Sequence, residues 1–161
     1  MATVGLIVHE HRPEAAQLAR EAARWLVDRH QAVRLPAADA AAVGLPDHGC
    51  PPEELAAGRL AVAEVRVDPA VQAYIVAIAA ATRESPSLTL GVSPRGSTML
   101  LRASKAWAWL AGKDFVTPDE VKTVALPTLR HRIALRPEVE LEGVTADGVL
   151  AGLLAAVPVP R

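Results

Sequence analysis

The sequence predicts a mainly α-helical protein that carries a small α/β unit at its N-terminus. Three observations point there. Hydrophobic residues make up 51% of the 161 residues but aromatics only 3%, so the apolar mass is Ala, Leu and Val, which suits close-packed helices better than aromatic-rich sandwiches. The first forty residues alternate strand, helix and strand patterns. Beyond residue 52, apolar segments open with capped prolines and keep the 3.6-residue period.

Thr3 to Val8 is a short β-branched apolar run, and a helical pattern opens at Pro13 with Glu14 in its first turn. Ala15, Leu18, Ala22 and Leu26 fall at helical spacing on one face, and Ala32 to Leu35 supplies a second strand before Pro36. This is a βαβ unit, and two short parallel strands alone bury too little to stand without a wider sheet. Gly and Pro crowd the stretch GLPDHGCPP, Gly44 to Pro52, as in a linker. The expected division is a βαβ fragment over residues 1–48, a linker over 49–51 and a helical domain over 52–161.

Everything after the linker reads as helix. Glu53 to Glu64 forms the first. Pro69 to Thr82 follows, with Asp68 as N-cap and Val71, Tyr74, Ile75, Ile78 and Ala79 on one face, which Thr82 ends as a partly polar member. Ser93 and Pro94 start a helix to Ala111, where Gly112 supplies a left-handed stop. Thr117, Pro118 and Glu120 form a capping box, and Pro127 is expected to kink or split that helix before Thr128 to Ile133. A last helix runs from Thr145 to Ala156. Trp107 and Trp109 cannot both face one core on a straight helix, so one is expected at a surface or interface.

Net charge is −1, from 17 basic and 18 acidic side chains, so no overall field draws nucleic acid or an anionic membrane. Met1 to Val8 lacks the charged flank and apolar length of a signal peptide, and the uncharged run Ala70 to Ala81 is too short to span a bilayer. The expected location is the cytoplasm. Cys50, the single cysteine, has no partner for an intramolecular disulfide. In the Gly-Pro linker it reads as structural rather than reactive.

The most tempting motif is GVSPRGST, Gly91 to Thr98, which nearly matches G-x-x-x-x-G-K-[ST]. It fails because Ser97 stands where the phosphate-neutralising Lys is needed and Pro94 removes a backbone N–H from the cradle. Arg95 is a different matter. It lies in the first turn of its helix, where free N–H groups disfavour a cation unless an anion is also present. Residue type and position alone favour a surface pairing with a carboxylate such as Glu84. His9 and His11, two apart at a strand end, and His30, His48 and His131 lack metal-ligand spacing, so no metal site is expected. No G-x-S-x-G surrounds any serine, which removes Ser97 with His131 as a hydrolytic pair. Arg130, His131, Arg132 and Arg136 form a local basic cluster whose simplest reading is a solvated face.

The run from Tyr74 to Ile133 combines ATR, G-x-S-P-R, GKDFVTPDEV and LRHR, and the chain ends in VPVPR. With these motifs, residues from Pro52 to Arg161 resemble the C-terminal helical lid of MoxR-family AAA+ ATPases. That resemblance implies an AAA+ lid-like helical bundle, and it implies that Arg95 acts as the nucleotide-binding sensor 2 arginine, reversing the preference for a bland surface pairing. It also implies that ATP binds only with a complementing AAA+ core and that Mg²⁺ is not bound by these residues. Implied partners are an AAA+ core or like subunits, including further copies of the chain. No Walker A lysine, Walker B acidic pair, sensor 1 or arginine finger has a matching sequence here, so ATP hydrolysis by these residues alone is not expected. Val4 to Pro46 resembles the opening βαβ of bacterial NAD kinases, within about Met1 to His48, without their G-G-D-G motif. The chain thus reads as the head of one protein joined to the tail of another. The alternatives are an NAD kinase-like enzyme fragment and a purely structural or interaction module.

Overall fold

A computed structural model of the chain describes residues 3–6, 8 and 13–160. The chain divides into two compact units, one formed mainly by residues up to Glu64 and the other mainly from Val65 onward.

The first unit opens with β1 (Thr3–Gly5), α1 (Pro13–Val27), β2 (Ala32–Pro36) and α2 (Ala37–Ala42). A 3₁₀ turn at Pro46–His48, β3 (Gly49–Cys50) and α3 (Pro52–Glu64) complete it. β1 and β2 run parallel, with Val4 opposite Val33, as a βαβ unit requires. Gly49 and Cys50, expected in the linker, instead form a third parallel strand, with Leu35 opposite Gly49 and Pro36 opposite Cys50. A two-residue strand has no periodicity to betray it, and its Gly-Pro flanks read as a break. Its pairing widens the sheet that two strands could not sustain alone.

The small core of this unit holds Ala23, Val33, Leu35, Ala40 and Val43, with Ala16 and Leu26 packed against it. The buried stripe of α1 is thus Ala16, Ala19, Ala23 and Leu26, and Leu18 is 67% exposed. Of the face expected from Ala15, Leu18, Ala22 and Leu26, Leu26 does pack against the core, but the stripe is otherwise rotated because alanine spacing alone cannot choose between neighbouring stripes. His30, expected to have no metal role, ends α1 with φ 57°. Gln31 N–H then bonds to Leu26 C=O at 3.0 Å, a left-handed stop that His tolerates better than most side chains. His9 and His11 lie outside the described residues.

The second unit contains β4 (Arg66–Val67), α4 (Pro69–Glu84), β5 (Leu88–Leu90), α5 (Pro94–Leu110), β6 (Phe115–Val116) and α6 (Pro118–Leu129). A 3₁₀ turn at Arg130–Arg132, β7 (Ala134–Leu135), α7 (Pro137–Leu141) and α8 (Ala146–Ala156) follow. β4 pairs parallel with β6 and β5 antiparallel with β7. These two ribbons correct the all-helical reading; at two or three residues each they are too short to leave a period-2 signal.

The helices follow their caps. Asp68 accepts from Ala70 N–H at 2.8 Å, and Thr117 and Glu120 close the expected capping box. Thr145 Oγ1 accepts from Gly148 N–H at 3.1 Å. At the end of α5, Gly112 has φ +76° and Lys113 N–H bonds to Ala108 C=O at 2.9 Å; this is the Schellman closure that glycine permits without a Cβ clash. Pro127 does not split α6, which runs through it to Leu129 and then tightens into the 3₁₀ turn. The proline removes the donor to Thr123 C=O only two residues before the helix ends. Little helix remains to be disrupted beyond it, and burial of Leu129, 1% exposed, holds the last turn inward.

The core of the second unit is continuous. It joins Tyr74, Ile75 and Ile78 of α4, Leu100 and Ala108 of α5, Val121, Ala125 and Leu129 of α6, and Leu150 and Leu154 of α8. Every expected core residue of α4 is buried, Thr82 among them. Trp109 packs against this core while Trp107 is exposed, as their spacing requires.

Candidate functional site at the start of α5

The residues singled out by sequence converge on the segment that enters α5. Ser93 Oγ accepts from Gly96 N–H at 3.3 Å, and Ser93 C=O accepts from Ser97 N–H at 3.2 Å. Ser93 is therefore the N-cap expected of it. Pro94 sits at the first helical position, where its missing N–H is no loss. Arg95 follows with an exposed side chain. Among the described residues no salt bridge or hydrogen bond joins it to Glu84 or to any other carboxylate. It stands on the first turn of a 17-residue helix, where a cation is disfavoured by the free N–H groups and an incoming anion would meet both amides and guanidinium.

The two glycines of GVSPRGST serve packing. A Cβ on Gly91 would lie 2.7 Å from both Cα and N of Arg83, so the chain passes directly over the backbone of α4. Gly91 is thus a close-approach glycine. A Cβ on Gly96 would lie 2.6 Å from Val92 Cγ1 and 3.5 Å from Arg132 Cδ. Only glycine lets Val92 come so close to the helix start, while the Arg132 distance is an ordinary contact.

Sequence reasoning missed Thr82 and Arg83 as participants. Thr82 Oγ1 accepts from Val92 N–H at 2.9 Å and donates to Ala79 C=O at 2.7 Å, while Arg83 Nε donates to Val92 C=O at 2.7 Å. The available signal was a Thr in core phase on an otherwise apolar face, because a buried hydroxyl needs partners. The basic cluster disperses: Arg130 pairs with Asp147 at 3.3 Å, Arg132 Nε donates to Thr128 C=O at 3.1 Å, and His131 and Arg136 are exposed.

Elsewhere the electrostatics are structural. Burial would raise the Glu120 carboxyl, yet hydrogen bonds from Lys113 and Thr117, with the Lys113 charge, hold it down to about 2. Lys113 Nζ lies 2.6 Å from Glu120 Oε1 and Thr117 N–H 2.8 Å from Oε2. Cys50 is buried, which pushes its thiol pKa up and makes it a poor nucleophile. Among the described residues no group of three or more His, Cys, Asp or Glu side chains could hold a metal ion. No helix there is long and apolar enough to cross a membrane.

Residues 80–152, which include this helix start, match the family model described as the AAA lid domain. The relatives narrow it further. The chain is 44% identical over 99 residues to the uncharacterized protein YeaC of Bacillus subtilis, covering 62% of this chain and 31% of YeaC. It is 34% identical over 106 residues to protein MoxR of Paracoccus denitrificans, covering 57% of this chain and 31% of that one. A crystal structure described as a candidate ATPase from Cytophaga hutchinsonii superposes with a TM-score of 0.64 at 27% identity, covering 68% of this chain and 36% of that one. These matches support the C-terminal part of the chain as the lid of a MoxR-like AAA+ ATPase. The chain spans about a third of the length of these proteins.

Proposed function

We propose that the helical lid, expected over residues 52–161, senses nucleotide for an AAA+ core, with Arg95 as its sensor 2 residue contacting the phosphates of ATP held by that core. The observation that carries this reading is an exposed arginine, without an ion-pair partner among the described residues, on the first turn of a long capped helix. A bound phosphate would relieve the unfavourable placement and gain charge-assisted hydrogen bonds. Hydrolysis belongs to the core, since the 161 residues contain no G-x-x-x-x-G-K-[ST], and Mg²⁺ arrives with the nucleotide there. The partners are that core and like subunits, and the compartment is the cytoplasm.

The test is calorimetry with ATP and Mg²⁺ titrated into the chain, alone and mixed with a separately expressed MoxR-type core. Replacing Arg95 by Ala should weaken ATP binding by roughly ten-fold, the worth of one charge-assisted contact. Equal affinity in both forms would refute Arg95 as the phosphate contact.

A second reading, subunit packing without nucleotide, draws on Trp107 and Leu90, which are 46% and 60% exposed. Loss of self-association on changing both to Ser, with no effect of ATP on assembly, would favour it. For residues 4–46 the NAD kinase likeness has the parallel β1–β2 pairing in its support. Failure of the pure chain to form NADP would leave that unit without an activity of this type.

A further inference from the structure

We infer that Thr82 and Arg83 are positioning residues for Arg95: they clamp Val92 and thereby hold the first turn of α5 on the C-terminal end of α4. Both main-chain polar groups of Val92 are taken by consecutive α4 side chains, the N–H by Thr82 Oγ1 at 2.9 Å and the C=O by Arg83 Nε at 2.7 Å. Thr82 is 0% and Val92 1% exposed, so water cannot replace the bond between them, while Arg83 reaches the Val92 carbonyl from the surface. The Thr82 proton is already committed to Ala79 C=O, which leaves the hydroxyl only its acceptor role toward Val92.

A valine at position 82 would suit the apolar face of α4 just as well. It would strand the Val92 N–H without an acceptor, so the hydroxyl is there for Val92 rather than for the core. Gly91 permits the approach by lacking a Cβ against the Arg83 backbone. Val92 then hands the restraint on, because its Cγ1 occupies the space left by the missing side chain of Gly96. Arg95 lies between Pro94, whose φ is fixed, and Gly96, which is packed against the clamped residue. Its backbone is held while its side chain stays exposed. The functional consequence, but not the clamp itself, rests on the phosphate-contact reading of Arg95.

The test is amide hydrogen exchange by NMR on the full chain, comparing wild type with Thr82→Val, Thr82→Ser and Arg83→Gln. Thr82→Val should accelerate exchange at Val92, Gly96 and Ser97 by roughly ten-fold or more, the scale of one buried donor losing its acceptor. Thr82→Ser, which keeps the hydroxyl, should restore the wild-type rates. Arg83→Gln alters only a surface side chain and should accelerate the same amides, so the test survives if Thr82→Val does not fold. Acceleration confined to Val92 would overturn the inference, as would equal acceleration at Val121 and Leu150, which means global loosening. Titration with inorganic tripolyphosphate separates the two ideas. If wild type shows no shift at residues 95–97, exchange alone decides the clamp, and the Arg95 reading is decided by the ATP titration with the MoxR-type core present. If wild type binds, Thr82→Val should weaken binding roughly ten-fold and Thr82→Ser should not; unchanged affinity in Thr82→Val would overturn the positioning role.

Discussion

Replacing Glu120 by Gln should destabilise the second unit by an amount that depends on pH in a specified direction. The carboxylate is 6% exposed and accepts from Lys113 Nζ at 2.6 Å and Thr117 N–H at 2.8 Å. Its pKa falls from the ordinary 4.5 to about 2 in the folded chain. At ~1.4 kcal/mol per pKa unit this corresponds to about 3 kcal/mol as an upper bound. Lys113 is 42% exposed, so solvent screening reduces the expected cost to about 1–2 kcal/mol. Gln can still accept from Thr117 N–H through its oxygen, but its amide nitrogen cannot accept from Lys113. Because the folded-state pKa is lowered, the stabilisation is fully present above about 4.5 and is lost as pH falls toward about 2. The assay is urea unfolding followed by Trp107 and Trp109 fluorescence in a Trp25→Phe background, which confines the signal to the second unit. The gap between parent and Glu120→Gln should be largest at pH 7 and shrink steadily below 4.5. A gap that stays constant down to pH 2.5 would show that lost packing, rather than the charge, accounts for the difference.

Three further expectations follow from burial and close approach. Ile78→Ala, at a residue 0% exposed in the centre of the core, should cost about 2–5 kcal/mol in the same urea assay; a cost below 1 would mean the core is not centred on α4. Gly91→Ala should cost about 1–3 kcal/mol, since the new methyl lands 2.7 Å from backbone atoms that cannot swing away; an unchanged urea midpoint would contradict the close approach. Cys50, buried with its thiol pKa raised, should react with an aromatic disulfide reagent at least roughly ten-fold more slowly than in urea, because labelling must wait for local opening; equal rates would place the thiol at the surface.

Sequence alone determined the elements whose signals are local. The Asp68, Ser93, Thr117 and Thr145 starts, the Gly112 stop and the buried stripe of α4 all depend on contacts within a turn or two, where residue type is decisive. The motifs around Arg95 were legible for the same reason, and the AAA lid match over residues 80–152 accords with them. What lay beyond sequence needed partners distant along the chain. β3 exists because Leu35 and Pro36 lie beside it, and β5 because it meets β7; strands of two or three residues have no pattern of their own. The burial of α1 on Ala19 rather than Leu18 was decided by which stripe meets the sheet. Thr82 looked like the frayed end of an apolar face until folding brought Val92, ten residues on, against its hydroxyl. Tertiary structure decided these points because a hydrogen bond or a packed face is a property of two segments, and one segment's sequence specifies only its own half.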